Sequence, residues 1–289
     1  MNMIKVSFYV PCYNAAKYIR HCLDAILSQT YPVEEIVVID DGSSDDSRLI
    51  ISGFPVKMIR NPCNKGIAAV RNIALNQLKS EFIASIDADC VIGDDWLARC
   101  MSNFKDPNVA AVGGKMAELY TATISDYWRK EHLKHHWGEE SVTNPIFLSG
   151  SNLVLRRDAI TKIGLYDEER YKNNYEDVDL SIRLKRSGFN LIYEPAAEAF
   201  HIRTDTPISV LATFHAWKFP AYKKCYLARP FFNLLNTIKL IKDDLYNNNL
   251  KLIFMDIMAF IACIYFDIAF LLRRRHERDA VRFNNNSDL

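Results

Sequence analysis

The hydrophobic pattern changes period along the chain, and each change predicts an element. Residues 4–10 form a short apolar, β-branched run stopped by Pro11, the signature of a buried strand. Over 15–29 the apolar side chains Ala15, Tyr18, Ile19, Cys22, Leu23, Ile26 and Leu27 recur at helical spacing, and Tyr31-Pro32 closes that helix. A second strand is predicted over 35–39 (EIVVI), closed by the turn-rich DDGSSDDS, and a third over 56–59. A helix over 66–79 follows, with Ile67, Val70, Ile73, Ala74 and Leu78 on one side, and then a fourth strand over 81–86. Strands alternating with helices predict an α/β domain with a mainly parallel sheet and helices on both faces.

Loops after the strands of such a sheet gather at its carboxyl edge, where ligands bind. Three polar clusters follow strands: Pro11-Cys12-Tyr13-Asn14, Asp40-Asp41-Gly42-Ser43 and Asp87-Ala88-Asp89. Carboxylates crowded at one edge repel, and a cation or a donor-rich ligand relieves them. Asp87 and Asp89 flank a single residue after a strand, so both can reach one site. Hard oxygen donors of this kind suit Mg²⁺ or Mn²⁺, with phosphates completing the shell. Asp-x-Asp is also ordinary loop chemistry, and 40–46 reads equally well as a turn and helix-capping cluster. Neither GxGxxG nor GxxxxGK[ST] occurs, which removes support for a Rossmann dehydrogenase or a P-loop NTPase.

At 175–187, YEDVDLSIRLKRS spaces Val178, Ile182 and Leu184 among charged positions as an amphipathic helix. Glu176 and Asp177 fall in its first turn, where the helix dipole favours negative charge. Capping accounts for both, and so does a general base held at the edge of a cleft. His201 follows another apolar patch; a lone histidine is more often packed than ligating. SGSNLVLRRDAI reads as a strand leading to a helix, and YWRKEHLKHHW (127–137) as a solvated helix without metal spacing among its histidines.

The C-terminal third has a different pattern. FFNLLNTIKLIKDDL (231–245) is amphipathic at helical period, with Lys239 and Lys242 on its polar side. LIFMDIMAFIACIYFDIAFLL (252–272) follows, ending in Arg273-Arg274-Arg275, and as a helix would be about 31 Å long, near a bilayer core's thickness. Asp256 and Asp267 lie on one face of it, which opposes a plain span. Arginines after the span also oppose it, because a cytoplasmic catalytic domain would put them outside. Helices lying on the membrane, or a shallow re-entrant pair with arginines near anionic headgroups, fit better. The other reading is a soluble extension packed on the protein or on a second copy, and the tail NNNSDL is expected to be disordered.

Charge sharpens this division. The chain carries +1 overall, against a nucleic-acid partner. Residues 204–289 carry twelve Lys and Arg against eight Asp and Glu, so the first 203 residues are net acidic. The expected domains are therefore 1–203 and a helical, membrane-associated extension over 204–289. Seven cysteines without CxxC spacing signal neither zinc nor a disulfide framework. A first strand that begins at once, without a signal peptide's apolar core, predicts a cytoplasmic location at a membrane face.

Four stretches, VSFYVPCYNAAKYIRHCLDAILSQTYPVEEIVVIDDGSSDDS, NKGIAAVRNIAL, FIASIDADC and YEDVDLSIRLKRSGFNLIYEP, together resemble the family-2 glycosyltransferases over about residues 3–202. The resemblance implies a GT-A fold and inverting transfer from a nucleotide sugar. It implies that Tyr13 and Asp41 hold the base, with Pro11 shaping the pocket, and that Arg71 lies near the base and diphosphate. By the same resemblance Asp87 contacts the ribose or a metal-bound water, and Asp89 binds Mn²⁺ or Mg²⁺ through its carboxylate. Asp177 matches the catalytic base, Glu176 its acidic neighbour, and His201 a metal-coordinating histidine. Gly150 and Asn152 match the segment lining the donor-sugar and acceptor side.

The Q/RxxRW motif of the family's processive synthases begins at neither Gln29 nor Gln77, nor at any arginine, which favours single addition. The expected donor is a UDP-sugar, and the acceptor a glycan or lipid-linked hydroxyl of the cell envelope. A catalytically silent sugar-nucleotide-binding partner of a membrane assembly is the alternative, opposed by the joint retention of Asp89 and Asp177. A nucleotidyltransferase would want a glycine- and basic-rich triphosphate loop, which VPCYNAAKY does not supply.

Overall fold

The computed structural model describes residues 4–134, 136–218 and 229–286. They fall into two compact units. The first runs up to Tyr120 and resumes over Lys134–Arg203; the second takes Thr121–Leu133 and the residues from Thr204 onward.

The first unit is built on one sheet. Strands β1 (Val6–Cys12), β2 (Val33–Asp40), β3 (Lys57–Arg60) and β4 (Phe82–Ile86) pair in parallel in the order β3-β2-β1-β4. Helices α1 (Ile19–Leu27), α2 (Ser47–Ile51) and α3 (Ile67–Gln77) connect them. This is the alternation expected from the apolar runs. Beyond β4 the sheet becomes mixed. β5 (Cys90–Ile92), helix α4 (Trp96–Ser102) and β6 (Val109–Glu118) come first in the chain, and β8 (Asn152–Arg156) then returns antiparallel between β4 and β6. β9 (Asn190–His201) pairs in parallel with β6 and antiparallel with β5 and with the short β7 (Val142–Thr143).

Strand alternation divides the core into two layers. Val6, Phe8 and Val10 of β1, with Val38, Ala84 and Ile86, face α1 and α4 through Ile19, Leu23, Ile26, Trp96 and Leu97. Tyr9, Val37, Ile39 and Ile83 face the other way, where Ala74 and Leu78 cover them together with Leu180 and Leu184 of α7 (Glu176–Arg186). Buried strands of this type carry continuous apolar runs because both faces are covered.

The second unit is helical: α5 (Ile124–His132), α8 (Pro207–Lys218), α9 (Arg229–Tyr246) and α10 (Ile253–Asn286), with α6 (Arg157–Ile163) belonging to the first unit. Its apolar centre gathers Trp128, Leu133, Val210, Phe214, Leu252, Met255, Ala259 and Cys263. Two expectations change here. The 127–137 stretch is not a solvated helix: a Thr123–Asp126 capping box starts α5, and Trp128 and Arg129 are buried, the latter paired with Asp205. The tail expected to be disordered continues α10 through Asn286. His135, the last three residues and the side chains of Arg273, Arg274 and Arg275 lie outside the described residues.

Candidate active site

The carboxyl ends of β1, β2 and β4 open onto one edge of the sheet, as parallel pairing requires. Pro11 is buried within β1, opposite Ile39, and Tyr13 just beyond the strand is about half exposed. Asp41 follows β2 and is 3 % exposed. Its carboxylate accepts from Asn61 Nδ2 at 2.7 Å and from the backbone amides of Lys65 and Gly66 at 3.0 Å. Those bonds fix the loop beside Tyr13. Gly42 is needed in the same turn: its φ is +79°, and a Cβ would lie 2.9 Å from the Cys63 backbone.

Arg71, on α3, is buried directly beside Asp87. It is 2 % exposed, and its guanidinium donates to Ser85 at 2.7 Å, to Asp87 Oδ1 at 3.1 Å and to the carbonyl of Gly150. Glu176 Oε1 lies 3.6 Å from its Nε. Ser85, Asp87 and the Gly150 carbonyl accept from this cation and Glu176 pairs with it, as a buried charge requires, and the bond to Asp87 keeps it beside the candidate donor site. A side chain at Gly150 would put its Cβ 2.7 Å from Arg71 Cζ, so this glycine lets the two segments close.

Strand pairing explains how Asp89 meets a residue far along the chain. β5 starts one residue after Asp89, and Cys90 is registered against His201. Potential ligand atoms of Asp89, Cys90 and His201 lie within 4.8 Å of one another. Burial opposes ionisation of Asp89, yet His201 and Arg203 beside it hold its carboxyl below the ordinary value. Arg203 Nη1 is 3.4 Å from Asp89 Oδ2. On β6, Glu118 is registered opposite His201, and its Oε1 is 3.0 Å from His201 Nδ1. A carboxylate on one ring nitrogen orients the other for a metal. The Cys90 thiol is pushed far up by burial and by Asp89, so it stays protonated and is a poor ligand. Asp89 and His201 thus fit a divalent cation.

Asp177 Oδ2 accepts from the Gly150 amide at 3.0 Å and its Oδ1 from Val178 N at 2.8 Å. Tyr175, with φ +78°, turns the chain so that Asp177 enters the first turn of α7. Burial and the charge of Asp177 push Glu176 up to about 7 despite Arg71. Burial also raises Asp87, against the pull of Arg71. A cavity of about 80 Å³ lies beside Ser149, bordered by His136, Trp137 and Tyr193. Sequence reasoning missed Glu118 and Arg203; neither lies in a motif, and only the register of β6, β9 and β5 brings them to the site.

Residues 7–164 match the family model described as Glycosyl transferase family 2. The chain belongs to glycosyl transferase family 2. Among curated proteins it is 28 % identical over 195 residues to glycosyltransferase AglE of Haloferax volcanii, covering 65 % of this chain and 64 % of the relative. It is 26 % identical over 276 residues to a poly-beta-1,6-N-acetyl-D-glucosamine synthase of Staphylococcus epidermidis, covering 92 % of this chain. The chain spans 64 % of the length of each of these relatives. Among solved structures, mannosyltransferase PcManGT from Pyrobaculum calidifontis, in complex with GDP-Man and Mn²⁺, superimposes with a TM-score of 0.65 at 18 % identity. That match covers 93 % of this chain and 88 % of the other. The likeness establishes the GT-A fold of this family-2 member.

Proposed function

We propose that the chain is an inverting glycosyltransferase that moves one sugar from a nucleoside-diphosphate sugar, a UDP-sugar by preference, to an acceptor hydroxyl. The acceptor belongs to a cell-envelope glycan or lipid-linked oligosaccharide, built at the cytoplasmic face of a membrane. One observation carries this reading: Asp177, held by the Gly150 amide, and the Asp89–His201 pair, with Glu118 on His201 Nδ1, all lie close enough to Asp87 to act on its carboxyl. A base and a cation-binding pair gathered at one site are what displacement at an anomeric carbon needs.

Tyr13 stacks on the base, and the loop fixed by Asp41 borders it. When bound, a divalent ion at Asp89 and His201 supplies Lewis-acid stabilisation to the departing diphosphate. Mn²⁺ suits this mixed oxygen and imidazole pair, and the PcManGT complex contains that ion. Asp177 takes the proton of the acceptor hydroxyl as its oxygen attacks the anomeric carbon from the face opposite the leaving group, which inverts the configuration. Arg71 acts as a positioning residue, tying Asp87, Gly150 and Glu176 together. The missing Q/RxxRW motif supports single addition.

Calorimetric titration of the full chain with UDP, GDP and dTDP, each with Mn²⁺ or with EDTA, tests the reading. Binding of one nucleotide that depends on Mn²⁺ is the expected outcome. A folded sample that binds none of them under either condition contradicts it.

A further inference from the structure

The second unit contains a hairpin that turns apolar side chains outward on both helices, and on α9 the polarity is inverted. The buried residues of α9 are Arg229, Asn233, Thr237 and Asp244, all polar, whereas Phe231, Leu234, Leu235, Ile238, Leu245 and Tyr246 are exposed. On α10 the exposed residues Phe254, Ile257, Ile261, Tyr265 and Ile268 recur every three or four positions, a single stripe along the helix. The opposite side is covered and carries both acids. Asp256 is fully buried and accepts from Trp128 Nε1 at 2.8 Å. Asp267 is paired with Arg229 at 2.8 Å and with Asn233 at 3.3 Å.

Water would reverse this arrangement. A surface helix in water turns its polar stripe outward and its apolar stripe in. Here Arg229 and Asn233 pair with Asp267, and Asp256 accepts from Trp128, so the carboxylates that argued against a bilayer are held within the protein. The 20 residues of Leu250–Ala269 have a mean hydropathy of 2.1, so the exposed stripe of α10 belongs to a strongly apolar segment. Charge also agrees, because Lys239 and Lys242 along α9 and Lys251 at the turn into α10 are exposed, against one exposed acid, Asp243. These lysines suit lipid phosphates beside an apolar face.

We infer that the α9–α10 hairpin is a monotopic membrane-insertion element: its outer face lies in the hydrocarbon of one leaflet, and Lys239, Lys242 and Lys251 meet anionic headgroups. This deepens the membrane-side location proposed above and is independent of the transfer chemistry. The occupant is lipid because both helices show rows of apolar side chains outward with exposed lysines among them, while Arg229, Asn233 and Asp267 are spent on one another.

Flotation of the full chain with phosphatidylcholine vesicles, with and without 30 % phosphatidylglycerol, tests it in ~0.1 M and ~0.5 M salt, either side of strong screening. The chain is expected to float with the anionic vesicles at both salts. The variant Ile257→Gln/Ile261→Gln/Ile268→Gln should lose at least about tenfold of that binding, since each exposed isoleucine contributes by apolar burial. Its substitutions are all on the exposed stripe, so its circular dichroism and Mn²⁺-dependent nucleotide binding should match those of the parent. Failure of the parent to float, flotation abolished by salt alone, or a variant that floats equally well would each overturn the inference. A salt-stable dimer that the same substitutions dissolve, with no flotation, would assign the face to a second copy instead. Nucleotide titration reads the transferase proposal separately, so either can fail alone.

Discussion

In the first unit Phe8, Val38 and Trp96 are buried and carboxylates gather at an open edge; in the second, Asn233, Asp244 and Asp256 are buried and Phe254, Ile261 and Tyr265 face outward. The first pattern is that of a protein folded in water around an apolar core, with charge kept where a ligand will meet it. The second surrounds its own apolar centre but also turns an apolar stripe outward, which the proposed insertion into a leaflet would cover. Both units bury charge, but differently. Arg71 is surrounded by groups that belong to the site, whereas Arg229 and Asp267 hold helices to each other. The difference separates charge kept for chemistry from charge kept for assembly, and substitutions can test that separation.

The largest effect is expected at Asp177. Asp177→Asn keeps the bond from the Gly150 amide but cannot accept the acceptor's proton, so turnover should fall by about 10²–10⁴-fold. Nucleotide binding by calorimetry should stay within a few-fold of the parent. Near-normal release of nucleoside diphosphate, with membrane extract as acceptor source, would remove Asp177 as the base.

Next comes Arg71, where the two kinds of buried charge are most directly opposed. Arg71→Met leaves Asp87 and Glu176 without their cation in the interior, and breaking a buried pair in this way costs about 3–5 kcal/mol. Denaturant unfolding should report that loss. A loss below about 1 kcal/mol would mean that the neighbouring carboxyls are neutral without Arg71, and that its place is dictated by the ligand.

Much of this was legible in the sequence and some was not. The runs at β1, β2 and β4 are buried on both faces, so their apolar character survives without context, and the loops after them point to one edge. The antiparallel return of β8 is not legible, because a strand's composition does not state the direction of its partner. Asp89 and His201 meet only through the Cys90–His201 register, and Glu118 only through the β6–β9 register. Arg71 sits in a motif, but a motif does not report depth. For α9 the limitation is more basic: a helical period reveals that two faces differ, not which one faces in. Lys239 and Lys242 read as the outward polar side of an ordinary amphipathic helix, yet most of the exposed residues around them are apolar.

Glu118 gives a smaller effect that sharpens the site. Glu118→Gln keeps an acceptor near His201 Nδ1 but removes the charge that orients and polarises the ring. Substitutions of this kind lower metal affinity by about 10–100-fold. Titration of Mn²⁺ in the presence of the preferred nucleotide should show it, with stability little changed. Unaltered affinity would mean that His201 is not a ligand, leaving Asp89 to act with the diphosphate alone.

The smallest effect is a change of slope at Glu176. Burial, reinforced by Asp177 and opposed by Arg71, raises its value from 4.5 to about 7. The folded chain therefore holds this proton more tightly than the unfolded chain does. Its contribution to stability is fully present below about pH 4.5 and is lost as pH rises through about 7. Glu176→Gln is permanently neutral, so its melting temperature should decline less than the parent's between about pH 5 and pH 8, with the two curves closest at the acidic end. If the curves stay parallel, Glu176 is ionised throughout and Arg71 is matched by two full charges. In that case the first unit, like the second, would hold its buried cation by pairing alone, and the distinction between the two kinds of buried charge would rest on Asp177 and His201.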